Sequence, residues 1–238
     1  MEKPSGSVLR FTVMFLLLGG LLAACGDSSN VTSGGGGSGG SVNLGAASGF
    51  GVLAGQSVTN TGASMVHGDL GIWPGNTLTG APGVSGTTHL GDPTAQSAQG
   101  ALTAAYNDAA GRAAGSTIAG DLGGLTVAPG VYKSTSTLEI TSADVTLDAG
   151  GNSNAVFIFQ IASSFTVGVG RQVILTGGAD PSRIFWQVGS SATLNTNSNV
   201  SGNILALTTI SMGTGAALNG RALARNASVT LLANTITP

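Results

Sequence analysis

Short apolar runs alternate with Gly, Thr, Ser and Asn through most of the chain, and the alternation has a period. Near the C-terminus the blocks Thr193-Leu194-Asn195-Thr196, Ser211-Met212-Gly213-Thr214 and Thr230-Leu231-Leu232-Ala233 start 18 and then 19 residues apart. An aliphatic residue follows six or seven positions after each start: Val200, Leu218 and Ile236. This spacing predicts the stacked coils of a parallel β-solenoid. At about 3.3 Å per strand residue, one coil traces a perimeter of roughly 60 Å, or three sides of about five or six residues. Flat faces carrying rows of short Thr, Ser, Asn, Ala and Gly side chains follow from such stacking, and function is expected there.

The same alternation predicts strands at Phe50–Ala54, Ser57–Thr61, Met65–Leu70 and Asn76–Thr79, punctuated by Gly-Asp and Pro-Gly turn signals. From Leu122 onward it predicts strands at Gly130–Tyr132, Thr137–Ile140, Asp144–Leu147, Ala155–Ile161, Ser164–Val169, Gln172–Leu175 and Arg183–Val188, followed by the three repeats. The segments around Phe157-Ile158-Phe159 and Phe185-Trp186 hold the largest apolar residues and should fill the bulkiest core layers. One stretch has helical periodicity instead: Ala98, Leu102, Ala105, Ala109 and Ala113, with Tyr106 beside them. Asp92 suits its N-cap, Pro93 its first position and Gly115 its terminator, giving a helix over about 93–114. A stripe made mostly of alanine lets that helix lie close against a flat apolar surface.

Composition narrows the class. Only 8% of the 238 residues are charged, there are 40 glycines, and mean hydropathy is +0.34, against about 25% charged residues in ordinary globular domains. The N-terminus alone carries a long apolar run. Lys3 and Arg10 precede Phe11 to Leu22, which is too short to span a bilayer and reads as an export signal. It ends in Leu22-Ala23-Ala24-Cys25, which resembles a bacterial lipobox; the resemblance implies cleavage after residue 24 and lipidation of Cys25, hence a membrane partner through the lipid. Cys25 is the one cysteine, so no intramolecular disulfide forms. Residues 26–43 read as a Gly/Ser tether, and the folded domain as 44–238. The expected localisation is the cell envelope, lipid-anchored after export. Without residues 1–24 the chain has six basic and nine acidic residues, and no basic stripe to neutralise nucleic-acid phosphates.

Several strings resemble those of the large microbial ice-binding protein family: Gly68-Asp69-Leu70-Gly71, Ala119-Gly120-Asp121-Leu122-Gly123-Gly124, Ala128-Pro129-Gly130-Val131-Tyr132, Ala155-Val156-Phe157-Ile158-Phe159-Gln160, Phe185-Trp186-Gln187-Val188-Gly189 and Asn219-Gly220-Arg221-Ala222. The resemblance runs from about Leu44 to Pro238. It implies a right-handed, discontinuous parallel β-solenoid of triangular section with one long α-helix packed alongside. It also implies adsorption to ice by one flat β-face, which pins the growing front and inhibits growth and recrystallisation. Ice and its ordered water would be the partner, with no cofactor and no metal, and with the protein a monomer. Threonine suits such a face because it presents a hydroxyl and a methyl on a stiff β-branched stem.

Some family members carry Thr-(Ala/Gly)-x-(Thr/Asn) on that face. Thr61-Gly62-Ala63-Ser64, Thr196-Asn197-Ser198-Asn199 and Thr214-Gly215-Ala216-Ala217 match it in part. Together with the repeats, this makes Thr59, Thr61, Ser64, Thr193, Asn195, Thr196, Ser198, Ser211, Thr214 and Thr230 the candidate ice-binding residues.

Catalytic signals are weak. His67 and His89 have no metal-ligand spacing, and no Gly-x-Ser-x-Gly elbow occurs. Asp69, Asp121, Asp144, Asp148 and Asp180 sit in or near Gly-containing turns, and Glu139 is an isolated strand residue, so a pair of carboxylates for polysaccharide cleavage is not expected. The chain therefore reads as a non-enzyme. Arg221 and Arg225 are expected to bond turn carbonyls or to cap the solenoid end. Trp186 should be core, and Trp73 the better candidate for an exposed ring. The alternative function, an adhesin or carbohydrate-binding solenoid, predicts an exposed row of aromatic residues.

Overall fold

A computed structural model describes residues 40–238. The expected export signal, Cys25 and most of the expected tether lie outside the described residues. Strands stack in parallel on three faces, and every strand pair is parallel. Face a holds nine strands in the order Thr88–Leu90, Asp69–Ile72, Phe50–Ala54, Ala222–Ala224, Asn203–Ala206, Ile184–Val188, Phe157–Ile161, Gly130–Ser134 and Ser116–Thr117. Face b holds eight: Thr77–Thr79, Ser57–Thr61, Val229–Leu232, Ile210–Met212, Ala192–Leu194, Phe165–Val167, Leu138–Ile140 and Gly120–Asp121. Face c is split into a five-stranded and a three-stranded sheet, joined by a single bridge between Gln172 and Asn199.

The stacking order is not the chain order. The first coil lies against the last, with Val52 paired to Ala222 and Val58 to Val229. The next coil and the single strand Thr88–Leu90 continue away from that junction. The helix Pro93–Gly111 then runs back along face a, and the remaining coils climb from Ser116 to the junction. Nineteen helical residues span about 28 Å at ~1.5 Å each, close to six rungs of about 4.8 Å. The length of the helix is thus matched to the stack it spans.

Face a is buried on both sides, which its sequence reflects. Phe157, Phe159 and Ile161 point into the solenoid, whereas Ile158 points out to the helix; Trp186 and Phe185 divide in the same way. Trp186 stacks between Phe159 at 4.2 Å and Phe165 at 4.6 Å, and its indole N–H donates to Ser201 O. Outside the face, Leu53, Phe185, Leu205 and Leu223 receive Ala98, Leu102, Ala105 and Ala109. The Asp92 carboxylate caps the helix, accepting from Ala95 N at 2.8 Å. The Gln160 amide satisfies its far end, donating to Ala109 O and Arg112 O.

Several expectations need correction. The helix ends at Gly111, not 114, because Arg112 turns extended (φ −68°, ψ 141°) to reach Asp108 and the carbonyls of Gly40 and Ser41; Gly115 terminates nothing. That contact also orders the chain N-terminal to residue 44, and Val42, expected in the tether, is buried beside Leu44. The strand expected over Met65–Leu70 breaks at His67-Gly68, where Gly68 (φ 88°) turns the corner from face c to face a. Arg221 and Arg225 do not lie at the solenoid end, since the C-terminal coil is interior to the stack. Arg221 bonds Ser48 O and Asn203 Oδ1, tying the first coil to the last two, and Arg225 lies over the Tyr106 ring.

Candidate ice-binding face

Face b carries an unbroken column of aligned outward residues. Thr79 is in register with Thr59, Thr59 with Thr230, Thr230 with Ser211, Ser211 with Thr193, and Thr193 with Thr166. Thr166, Thr193, Ser211 and Thr230 each stand between two apolar neighbours, such as the buried Phe165 and Val167 around Thr166, while Thr59 and Thr79 follow Val58 and Leu78. Six hydroxyl residues at about 4.8 Å per rung make a straight row of roughly 24 Å. Beside it runs a second row, whose hydroxyls bond across rungs: Ser57 Oγ to Ser228 Oγ at 2.7 Å, and Ser191 Oγ to Thr209 Oγ1 at 2.7 Å. Such bonds fix rotamers, so this edge of the face is ordered before anything binds. The main column continues through Glu139 and Asp121 at the far end.

The other faces offer less. Face a is covered by the helix. Face c is interrupted between its two sheets and exposes Met65, His67 and Ile174, which differ in size and polarity. A shallow trough there is lined by Asn199, Ala217, Asn219, Thr235 and Thr237.

Of the candidates named from sequence, Thr59, Thr193, Ser211 and Thr230 stand in the central column. Thr61 is exposed at the end of its strand, opposite Leu232. Asn195 lies where face b turns toward face c, with its amide donating to Val167 O at 2.8 Å. Thr196 and Thr214 are exposed, but on the corner turns rather than the sheet. Ser64 and Ser198 require correction: they are 4% and 1% exposed, inside the corner, where Ser64 Oγ accepts from Asn234 N. The cause is a column of left-handed residues that bends five successive coils at this corner: Gly62, Ala233, Gly215, Asn197 and Gly170, with φ from 51° to 79°. The motif strings contain that turning residue, and the chain just after it is driven inward: Ser64 two positions after Gly62, Ser198 directly after Asn197 and Ala216 directly after Gly215.

Thr79, Thr166, Ser57, Thr77, Ser191, Thr209 and Ser228 were missed by the sequence reading. The available signal was strict alternation, as in Thr77-Leu78-Thr79 and Phe165-Thr166-Val167.

Charge on the face is confined to its end. Partial burial pushes the Asp121 carboxyl up, but donors from Thr141, Gly123 and Ser142 outweigh that and hold it well below the usual carboxylate range. Among the described residues, no three His, Cys, Asp or Glu side chains are grouped to hold a metal. Every aromatic side chain among them is buried or half-buried. Trp73 is half-buried at the helix seam, lining a shallow depression of about 400 Å³ with Gln96, Gln99 and Arg225. The row of exposed rings that a carbohydrate-binding face would need is thus not present there.

A family model described as ice-binding-like matches residues 52–237. An ice-binding protein of Nostoc sp. (strain HG1) is 45% identical over 197 residues, covering 81% of this chain and 72% of that protein. One from Flavobacterium frigoris (strain PS1) is 38% identical over 216 residues, covering 82% and 76%. The crystal structure of an ice-binding protein from an Antarctic biological consortium matches with TM-score 0.84 at 48% identity, over 87% of this chain and 95% of that one. That of an ice-binding protein from the ascomycete Antarctomyces psychrotrophicus matches with TM-score 0.79 at 38% identity, over 83% and 98%.

Proposed function

The chain belongs to the ice-binding-like family, and we propose that it adsorbs to ice through face b, with the column Thr79, Thr59, Thr230, Ser211, Thr193 and Thr166 at its centre. One observation carries this reading: among the faces of the described residues, face b alone is both uncovered by the helix and continuous in its outward hydroxyl row. Each hydroxyl holds a water while each threonine methyl blocks the competing position, so the water layer takes the spacing of the rungs. A single anchored water contributes little, and affinity comes from many of them on a surface whose side chains are already fixed. Bound molecules pin the ice front, which must bulge between them, so growth and recrystallisation slow. No turnover is needed.

The N-terminal segment suggests where this happens. A lipid on Cys25 and a Gly/Ser tether would hold the domain at the cell envelope, where it could bind the cell to ice or protect its surface. A monomer suffices, because one molecule presents the whole face.

Thermal hysteresis and ice recrystallisation inhibition test the reading. The wild type should be active, and Thr193→Tyr should lose most of that activity with its circular dichroism unchanged. A folded wild type with no effect on ice would reject it. For the anchor, Cys25→Ser should move the protein from the membrane fraction to the soluble one. Unchanged fractionation would reject the lipid.

A further inference from the structure

The central column of face b has a defined end. Six rungs carry Thr or Ser, and the seventh carries Glu139, in register with Thr166 on one side and Asp121 on the other. The two carboxylates differ in what they do. Asp121 is structurally committed: its oxygens accept from Thr141 N, Thr141 Oγ1, Ser142 N and Gly123 N, all between 2.7 and 3.0 Å, closing the turns of the terminal coils. Glu139 has no such work. The ion pairs among the described residues are His89–Asp92, Arg112–Asp108 and Arg171–Asp144, and the Glu139 side chain takes part in none of them and in no hydrogen bond there.

The rest of its strand is built like the ice-facing rungs. In Thr137-Leu138-Glu139-Ile140-Thr141, Leu138 and Ile140 are buried and the other three face out. Two of those three are already threonine. The backbone register continues without a bulge through Leu138, Glu139 and Ile140 opposite Phe165, Thr166 and Val167. Only the side chain at 139 departs from the pattern.

Resting on the face b reading, we propose that Glu139 sets the edge of the ice-binding surface: the footprint stops at Thr166 because of this one side chain, while the scaffold for a seventh rung is already in place. Two physical effects act together. An ionised carboxylate binds water strongly and radially, and giving up that hydration to join a lattice is costly. The long Glu chain also rises above the plane of the threonines and must lose rotamer freedom to lie flat, whereas threonine is fixed by its β-branch.

The test is a gain of activity. In the full chain, Glu139→Thr should inhibit recrystallisation at a concentration at least about twofold lower than the wild type, since adsorption strengthens exponentially with each added rung. Glu139→Gln, of equal length but uncharged, should recover a smaller part of that gain, and Glu139→Lys none. Thr193→Tyr is measured alongside. If Thr193→Tyr abolishes activity and both Glu139→Thr and Glu139→Gln, with wild-type melting temperatures, match the wild type, the edge assignment is wrong and the face assignment stands. If Thr193→Tyr is as active as the wild type, the face assignment itself fails. Should Glu139→Thr fold poorly, Glu139→Gln decides alone: equal or lower activity overturns the proposal.

Discussion

Replacing Leu102 with alanine separates the scaffold from the surface it presents. Leu102 is fully buried between the helix and face a, among Leu53, Phe185, Leu205 and Leu223. Its apolar partners on the helix are the small Ala98, Ala105 and Ala109, so Leu102 and the Tyr106 ring are the two large apolar groups that hold the helix down, beside the Gln99 amide that donates to Ala224 O. Three carbons are lost, worth about 2.4 kcal/mol at ~0.8 each. A cavity term of roughly 1 kcal/mol or more adds to this, because Leu205 and Leu223 are held in register by the ladder and cannot move in to fill the space. The expected destabilisation is thus about 3–4 kcal/mol. For a domain of this size that corresponds to a melting temperature lower by roughly 10 °C, measured by calorimetry or circular dichroism. Thermal hysteresis, read near the freezing point where the variant is still folded, should equal that of the wild type. A destabilisation below ~1 kcal/mol would refute the packing argument. Activity lost by a folded variant would refute the division between a structural face a and a functional face b.

Other outcomes follow from the same geometry. Asp121 is held below the usual carboxylate range, so its stabilisation is full above the ordinary carboxylate pKa and is lost as pH falls through its lowered folded value; Asp121→Asn should flatten the acid side of the stability profile followed by thermal melts. Ala233 occupies a left-handed position (φ 51°) that its stacked neighbours fill with Gly or Asn, so Ala233→Gly should raise stability by about 0.5–1 kcal/mol, and a lower melting temperature would contradict this. Gly220→Ala should be severely destabilising in the same assay, because a Cβ there would lie 2.0 Å from Gly202 O, where backbone meets backbone at a coil corner.

Much of the coil could be read from sequence, because the repeat is a physical period. Thr193, Ser211 and Thr230 are aligned in the sheet, and Val200, Leu218 and Ile236 line up inside it. The helix was legible from its alanine stripe and the Asp92-Pro93 start. Residue patterns could not supply the order of coils: nothing local in Phe50–Ala54 says that it pairs with Ala222–Ala224, since any apolar rung fits any other. The candidate face was half legible. Alternation locates outward residues only when the strand ends are known, and the corner column of left-handed residues hid those ends. Ser64 and Ser198 were therefore read as surface although they are interior, while Thr79 and Thr166 passed unnoticed.

Thr230 and Thr235 lie in the same coil, five residues apart, on face b and face c respectively. The same change at each, Thr230→Tyr and Thr235→Tyr, alters size and polarity equally at equal distance from the solenoid ends. Partitioning of each folded variant into a slowly growing ice hemisphere tests the central claim directly. Thr230→Tyr should be largely excluded from the ice, while Thr235→Tyr should enter it as the wild type does. Exclusion of Thr235→Tyr with normal uptake of Thr230→Tyr would contradict the assignment of ice binding to face b.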